Sequence, residues 1–250
     1  PFVYRPAAAE VSFDDGKVRG CLRVPSEPRV ASNLLVCVQG VGAATVSFVL
    51  QGAAQVVGWV NDDRLGLNAS LNGVVRDERL FAVRDALSAA LPGLVRVAAA
   101  GLKDLSKGRA ERLSQPGMEA LWARRLNAGA QGRLGAAWGA LTRVAVDDQE
   151  EALLADEARL VLWLREAAAG RLSSFEGDAG DPLKSALWKA ALFTAAYGAP
   201  LTLETLERSR RRDGQVLVAP VLDVDSPADL PVAWAPEGRE REALRRHFGD

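Results

Sequence analysis

The chain has 250 residues, 48% hydrophobic and 25% charged, with 31 Lys and Arg against 32 Asp and Glu for a formal net charge of −1. This composition excludes a mostly disordered chain, and the near-neutral balance argues against a globally basic nucleic-acid binder. No run of about eighteen apolar residues occurs, so no membrane span is expected, and no charged-then-apolar leader follows Pro1. A first residue other than Met predicts a piece of a longer protein. Two cysteines, Cys21 and Cys37, are too few for a disulfide scaffold. They could face each other across a hairpin, but reduced packing residues are the expectation, ahead of a redox or ligand role. One histidine, His247, argues against a His-based metal cluster and a Ser-His-Asp hydrolase.

In chain order, Asp14-Asp15-Gly16 signals a turn, and residues 17–24 alternate as a half-buried strand. Val18, Leu22 and Val24 lie on one face and Lys17, Arg19 and Arg23 on the other. Leu34 to Gln39 is almost wholly apolar, which predicts a central strand covered on both faces. Val38 to Thr45 has two glycines. It reads as a hairpin loop and is a weak echo of a phosphate loop that lacks the Lys-Ser. Thr45 to Leu50, Gln55 to Val60 and the shorter Leu65 to Ala69 are further strand candidates. Asp77 to Leu91 has helical spacing, with Leu80, Val83, Ala86, Leu87, Ala90 and Leu91 as its core side. Pro92-Gly93 predicts a break or kink, a second helical stretch to Leu105, and a left-handed glycine cap at Gly108.

The back half reads as helical: Met118 to Asn127, Arg133 to Val144, Asp148 to Ala169, Pro182 to Ala196, and Thr202 to about Arg211. Leu153, Leu154, Leu160, Val161 and Leu164 form the expected core of the third, and its acidic start, Asp147 to Glu151, suits a helix N-terminus without a metal. Residues 171–181 read as a loop. Gln215 to Ala219 predicts a strand, and Glu237 to Phe248 a last helix, where Arg245, Arg246 and His247 would complement the dipole. Trp122, Trp138, Trp163 and Trp188 read as anchors between helices rather than an aromatic cage. Arg208 to Arg212 reads as a solvated helix end, with contact to an acidic partner or nucleic acid as the alternative. The expected class is α/β (α+β): a strand-rich two-layer region over 1–108, a helical region over 109–198, and a small α/β unit over 199–250.

One segment carries functional information. Val60 to Ser70 reads as a strand, an acidic turn (Asn61-Asp62-Asp63), then Leu65-Gly66-Leu67-Asn68-Ala69-Ser70, with the helix Arg76 to Leu87 behind it. This resembles the middle domain of the HtpG-type chaperones, the ninety-kilodalton heat-shock class, where a strand enters Leu-x-Leu-Asn-x-Ser before a helix. Gly20 to Pro25, Leu34 to Val38 and Gln55 to Val60 are similar to that family's preceding strands. Pro200 to Arg208 followed by Asp213 to Val218 looks like its downstream helix, turn and strand.

The resemblance implies a transducer domain that packs against an N-terminal GHKL domain binding ATP and Mg, and couples nucleotide state to client proteins, with a homodimer possible in the full-length protein. In the family an Arg of this loop meets the terminal phosphate, where a planar cation stabilises developing charge. Here that position is Leu71. Asn68 carries over, Ser70 stays beside it, and Arg64 and Arg76 are the nearby cations that could serve instead; a slow or inactive ATPase is the other expectation. No cofactor and no metal are expected in this piece, and its setting would be cytoplasmic. The rival reading is a non-chaperone interaction or nucleic-acid module on the same transducer fold. Those use a loop Lys, and no Lys lies in 40–102. A self-contained enzyme is disfavoured by the lone His and the lack of a nucleophile–base pair.

Overall fold

A computed structural model describes residues 9–26, 31–50, 54–70, 73–127, 148–169, 182–222, 231–236 and 238–249. The chain divides into two compact units, Pro1–Ala98 and Ala99–Asp250, and the division falls within one long helix. The class is α/β, with a mixed five-stranded sheet and helices.

In the first unit the strands are β1 (Glu10–Asp14), β2 (Arg19–Arg23), β3 (Ser32–Val38), β4 (Val41–Phe48) and β5 (Val57–Asn61), in the order β1-β2-β5-β3-β4. β5 runs antiparallel to β2 and parallel to β3, so the last strand is inserted between the two hairpins. Side chains alternate across a strand. The aligned row Val11, Leu22, Gly58, Leu34 and Val46 shares one face. Against it lies helix α1 (Glu78–Leu105), which buries Val83, Leu87, Leu91, Leu94 and Val95. Gly93 brings α1 within van der Waals reach of Val11. At Gly58 the reason for glycine is steric: φ is +150°, and a Cβ would stand 1.9 Å from the Cys21 carbonyl oxygen.

In the opposite row, Ser12, Cys21, Trp59, Leu35 and Thr45, only Cys21 is buried. Leu35 is 43% exposed, which corrects the expectation that β3 is covered on both faces. Cys21 and Cys37 are both free and buried, on strands separated by β5 rather than across a hairpin. The β3–β4 turn is only Gln39-Gly40, both at positive φ, so Gly42 and Ala44 belong to β4 and not to a wide loop. The sequence reading missed β1, because Glu10 to Asp14 puts its acids where alternation leaves only two apolar positions.

α1 is continuous through Pro92-Gly93, a correction to the expected break. Its buried stripe runs unbroken from Val83 through Leu91 to Ala98, and packing along the whole length offsets the single hydrogen bond that Pro removes. By length and composition α1 is the one described helix that could cross a membrane; its apolar stripe is buried within the protein.

The second unit holds α2 (Arg109–Leu113), α3 (Met118–Asn127), α4 (Asp148–Ala169), α5 (Pro182–Lys189), β6 (Phe193–Thr194), β7 (Pro200–Leu201), α6 (Leu203–Asp213), β8 (Val218–Ala219), β9 (Ala233–Trp234) and α7 (Arg239–Phe248). Gly108 is left-handed, as expected, at φ 77°, but it stands at the start of α2 and not as the cap of α1, which ends three residues earlier at Leu105. Within α4, Leu154, Leu160, Val161 and Leu164 are buried, but Leu153 is exposed. Trp122 and Trp163 are buried anchors, and the Trp122 indole donates to Thr194 Oγ1 at 3.1 Å. Trp138, the helix expected over 133–144 and the loop expected over 171–181 lie outside the described residues.

The helix expected to reach Ala196 stops at Lys189. The carbonyls of Ala191, Leu192 and Phe193 accept instead from two buried guanidinium groups, Arg109 and Arg165. A helical backbone would spend those carbonyls on itself. β8 covers only Val218–Ala219 of the strand expected over 215–219.

Candidate functional site

The segment between β5 and α1 folds as a locked turn followed by a short hairpin. Asn61, the last residue of β5, accepts from the Gly40 N–H through Oδ1 at 2.7 Å and donates through Nδ2 to Asp63 Oδ1 at 2.8 Å. Asp63 Oδ1 also accepts from the Gln39 N–H at 2.9 Å. The two turn amides of the β3–β4 hairpin are thus satisfied by side chains of the acidic turn. Asx residues are suited to this because their short side chains reach neighbouring backbone.

Asp62 is fully buried. Its Oδ1 accepts from the Arg64 N–H and from Arg64 Nε, each at 2.9 Å, and its Oδ2 from Arg64 Nη2 at 2.8 Å. The Arg64 guanidinium holds the Asp62 carboxyl below the usual carboxylate range. Arg79 Nη1 donates to the Arg64 carbonyl, which ties the turn to α1.

Beyond the turn, Val75 N–H donates to the Gly66 carbonyl at 2.8 Å and Asn68 N–H to the Gly73 carbonyl at 2.9 Å, with Leu67 bridged antiparallel to Val74. The tip presents Asn68, Ala69 and Ser70 to solvent. Leu71 lies outside the described residues. Asp77 closes the segment as the cap of α1, its Oδ1 accepting from Arg79 N–H at 3.0 Å and Leu80 N–H at 3.2 Å.

The four candidate residues therefore fall into two places. Asn68 and Ser70 are at the hairpin tip; Arg64 and Arg76 flank its base, before Gly66 and after Val75. Arg64 is paired with the buried Asp62 carboxylate. Arg76 is exposed and has no hydrogen bond or ion pair among the described residues, so it is the candidate with charge to offer an anion. The grip of Asn61 and Asp63 on Gln39-Gly40 was not foreseen; the signal was the run Asn-Asp-Asp directly after a strand. The glycine loop itself holds no cation and is a plain two-residue turn.

A second concavity lies in the second unit between α4 and α7. Its volume is about 250 Å³, and its titratable and charged lining comprises Arg165, Glu166, Arg239, Glu242, Arg246 and His247. Arg165 is spent on Glu240 and the Leu192 carbonyl, and Arg246 on Glu242. His247 stands edge-on to Phe193. Burial, with help from Arg165 and Arg246, pushes its pKa from 6.5 down to about 4. It is neutral, which corrects the expectation of a dipole-compensating cation. With Arg165, Arg246 and Glu242 already paired and no nucleophile in its lining, this groove is weaker chemically than the loop.

The basic run at the end of α6 is also paired internally: Arg208 to Glu204, Arg210 and Arg211 to Glu207, Arg212 to Asp213. Arg23 pairs with Glu10. Among the described residues no group of three His, Cys, Asp or Glu could hold a metal ion. No protein-family model matches the chain, and no curated protein matches it.

Proposed function

We propose that this chain is the middle, transducer portion of an HtpG-like GHKL-ATPase chaperone that couples the ATP state of an N-terminal domain to the handling of client proteins. The observation that supports it is the β5–α1 connection. A central strand ends in a turn clamped by Asn61, Asp62 and Asp63, projects Asn68 and Ser70 into solvent, and re-enters the fold through an Asp77-capped helix. Such an arm is rigid at its base and open at its tip, the construction required to meet a group held by a neighbouring module. Arg76 takes the charge-stabilising role that Leu71 cannot fill, and Arg64 positions the loop through Asp62. ATP and Mg belong to the N-terminal domain. The free, buried thiols of Cys21 and Cys37 suit a cytoplasmic setting.

The test is steady-state ATP turnover of the full-length protein carrying Arg76→Ala. We expect a fall of about tenfold or more, given what a cation at a transferring phosphoryl group contributes. Unchanged turnover removes Arg76 from the mechanism. Suppression of aggregation of a model client, set beside DNA retention at moderate salt, separates the chaperone from a nucleic-acid module on the same fold. Retention of DNA without client protection overturns the proposal.

A further inference from the structure

The five-stranded sheet has two edges of opposite character. Along β1, Glu10 and Asp14 are exposed and Asp15 follows. Charges of this kind are the ordinary guard against pairing with a foreign strand. Along β4 there is no such guard. No charged residue occurs between Arg29 and Asp62, and β4 reads Val-Gly-Ala-Ala-Thr-Val-Ser-Phe without Pro.

β4 has eight residues, about 27 Å of strand, and among the described residues it pairs on one side only, with β3. Its register shift lies between Val36 and Cys37, near the turn; from Ala44 to Phe48 the pairing is regular. Val41 is 69% exposed, Val49 just past the strand is 85% exposed, and Leu35 leans across Gly42 toward the edge.

An unpaired strand edge offers backbone donors and acceptors in strict alternation. What satisfies the whole row is another extended polypeptide. Neither β4 nor the rest of residues 30–61 carries a charge that could pair with one on an incoming strand, so the edge suits an uncharged segment.

We propose that the open edge of β4 is a strand-accepting site, which takes an extended, uncharged segment of another protein as a sixth strand. This rests on the client-handling half of the function proposed above, and it assigns that half a surface and a mode of recognition.

The experiment uses the 250-residue chain and a fluorescein-labelled peptide, Lys-Thr-Val-Thr-Val-Thr-Val-Lys, read by anisotropy beside the same peptide with its core amides N-methylated. We expect saturable binding of the first and binding about tenfold weaker or worse for the second, because methylation removes the donors and keeps the side chains. The double variant Val41→Lys/Thr45→Lys, with unchanged far-UV circular dichroism, should lose the peptide by a similar factor. Equal binding of both peptides overturns the proposal in favour of side-chain capture on the sheet face. A concentration-dependent dimer that the peptide cannot displace overturns it in favour of a second copy on β4. Slow amide exchange along β4 in the free chain, with no peptide bound, overturns it in favour of cover by the chain itself. Client protection retained by the full-length lysine variant refutes the edge and spares the chaperone reading; peptide capture without client protection refutes only the latter.

Discussion

Arg109 has no exposed surface, yet each of its three guanidinium nitrogens has an acceptor. Nε reaches Glu157 at 2.6 Å, Nη1 the Phe193 carbonyl at 2.6 Å, and Nη2 the Ala191 carbonyl at 3.1 Å, while the group lies over the Trp122 ring. Glu157, equally buried, also accepts from Arg112 at 2.8 Å. Removing one partner of such a pair strands a charge, whereas replacing both can be nearly neutral. We therefore expect Glu157→Gln to lower unfolding free energy by about 3–5 kcal/mol in urea titrations, and Arg109→Met/Glu157→Leu to lower it by less. A loss under about 1 kcal/mol for the single variant would show that the pair is not what holds this core. Neither residue stood out in the sequence: 48 positions separate them, and each sits in an ordinary helical pattern. At the loop the reverse holds. Arg64 and Arg76 were both legible as cations near Asn68, but only the fold distinguishes them, by pairing one with the buried Asp62 and giving the other no partner among the described residues.

At the scale of elements, local chemistry decided starts more reliably than ends. Thr202 accepts the Thr205 N–H at 3.1 Å and opens α6, as its hydroxyl and the following Leu-Glu-Thr indicate; Gly214, left-handed, ends it. Thr202→Ala should cost about 1 kcal/mol of stability, read as a shift of the urea midpoint at constant slope. No change would mean that α6 is held by packing of Leu203 and Leu206 alone. The end of α5 was not readable, because residues 190–196 are good helix formers whose carbonyls are claimed by arginines from elsewhere in the chain. β1 was likewise invisible alone and exists because β2 offers it a partner.

At the scale of the molecule the two units answer acid in different windows. In the second, folding lowers the His247 pKa from 6.5 to about 4. The unfolded chain then binds the proton more tightly below pH 6.5, so stability falls as pH drops from about 6.5 and levels off near 4, by about 2–3 kcal/mol. The groups facing this imidazole are Arg165, Arg246, Glu166, Glu242 and Arg239. Glu166 runs the other way, raised by burial, but its solvent-facing side chain keeps that counter-effect small. In the first unit, Asp62 and Asp15 have lowered pKa values, so their contribution is present above 3.8 and is lost only below it. Hydrogen exchange followed from pH 7 to 4.5 should show protection falling in the second unit while the sheet is unchanged, and His247→Phe should flatten that slope. A slope that survives the substitution would assign the sensitivity elsewhere.

What the amino-acid order determined by itself was local: alternation in β2, the apolar run of β3, the long apolar stripe of α1, the cap at Thr202, and the Asn68–Ser70 stretch as a place apart. These follow from side-chain period and short-range hydrogen bonding, which need no distant partner. Tertiary structure alone decided the insertion of β5 between the hairpins, the arrest of α5, the neutrality of His247 and the contrast between guarded and unguarded sheet edges. Each depends on groups remote in the chain meeting where water is excluded, and a linear pattern carries no record of that meeting.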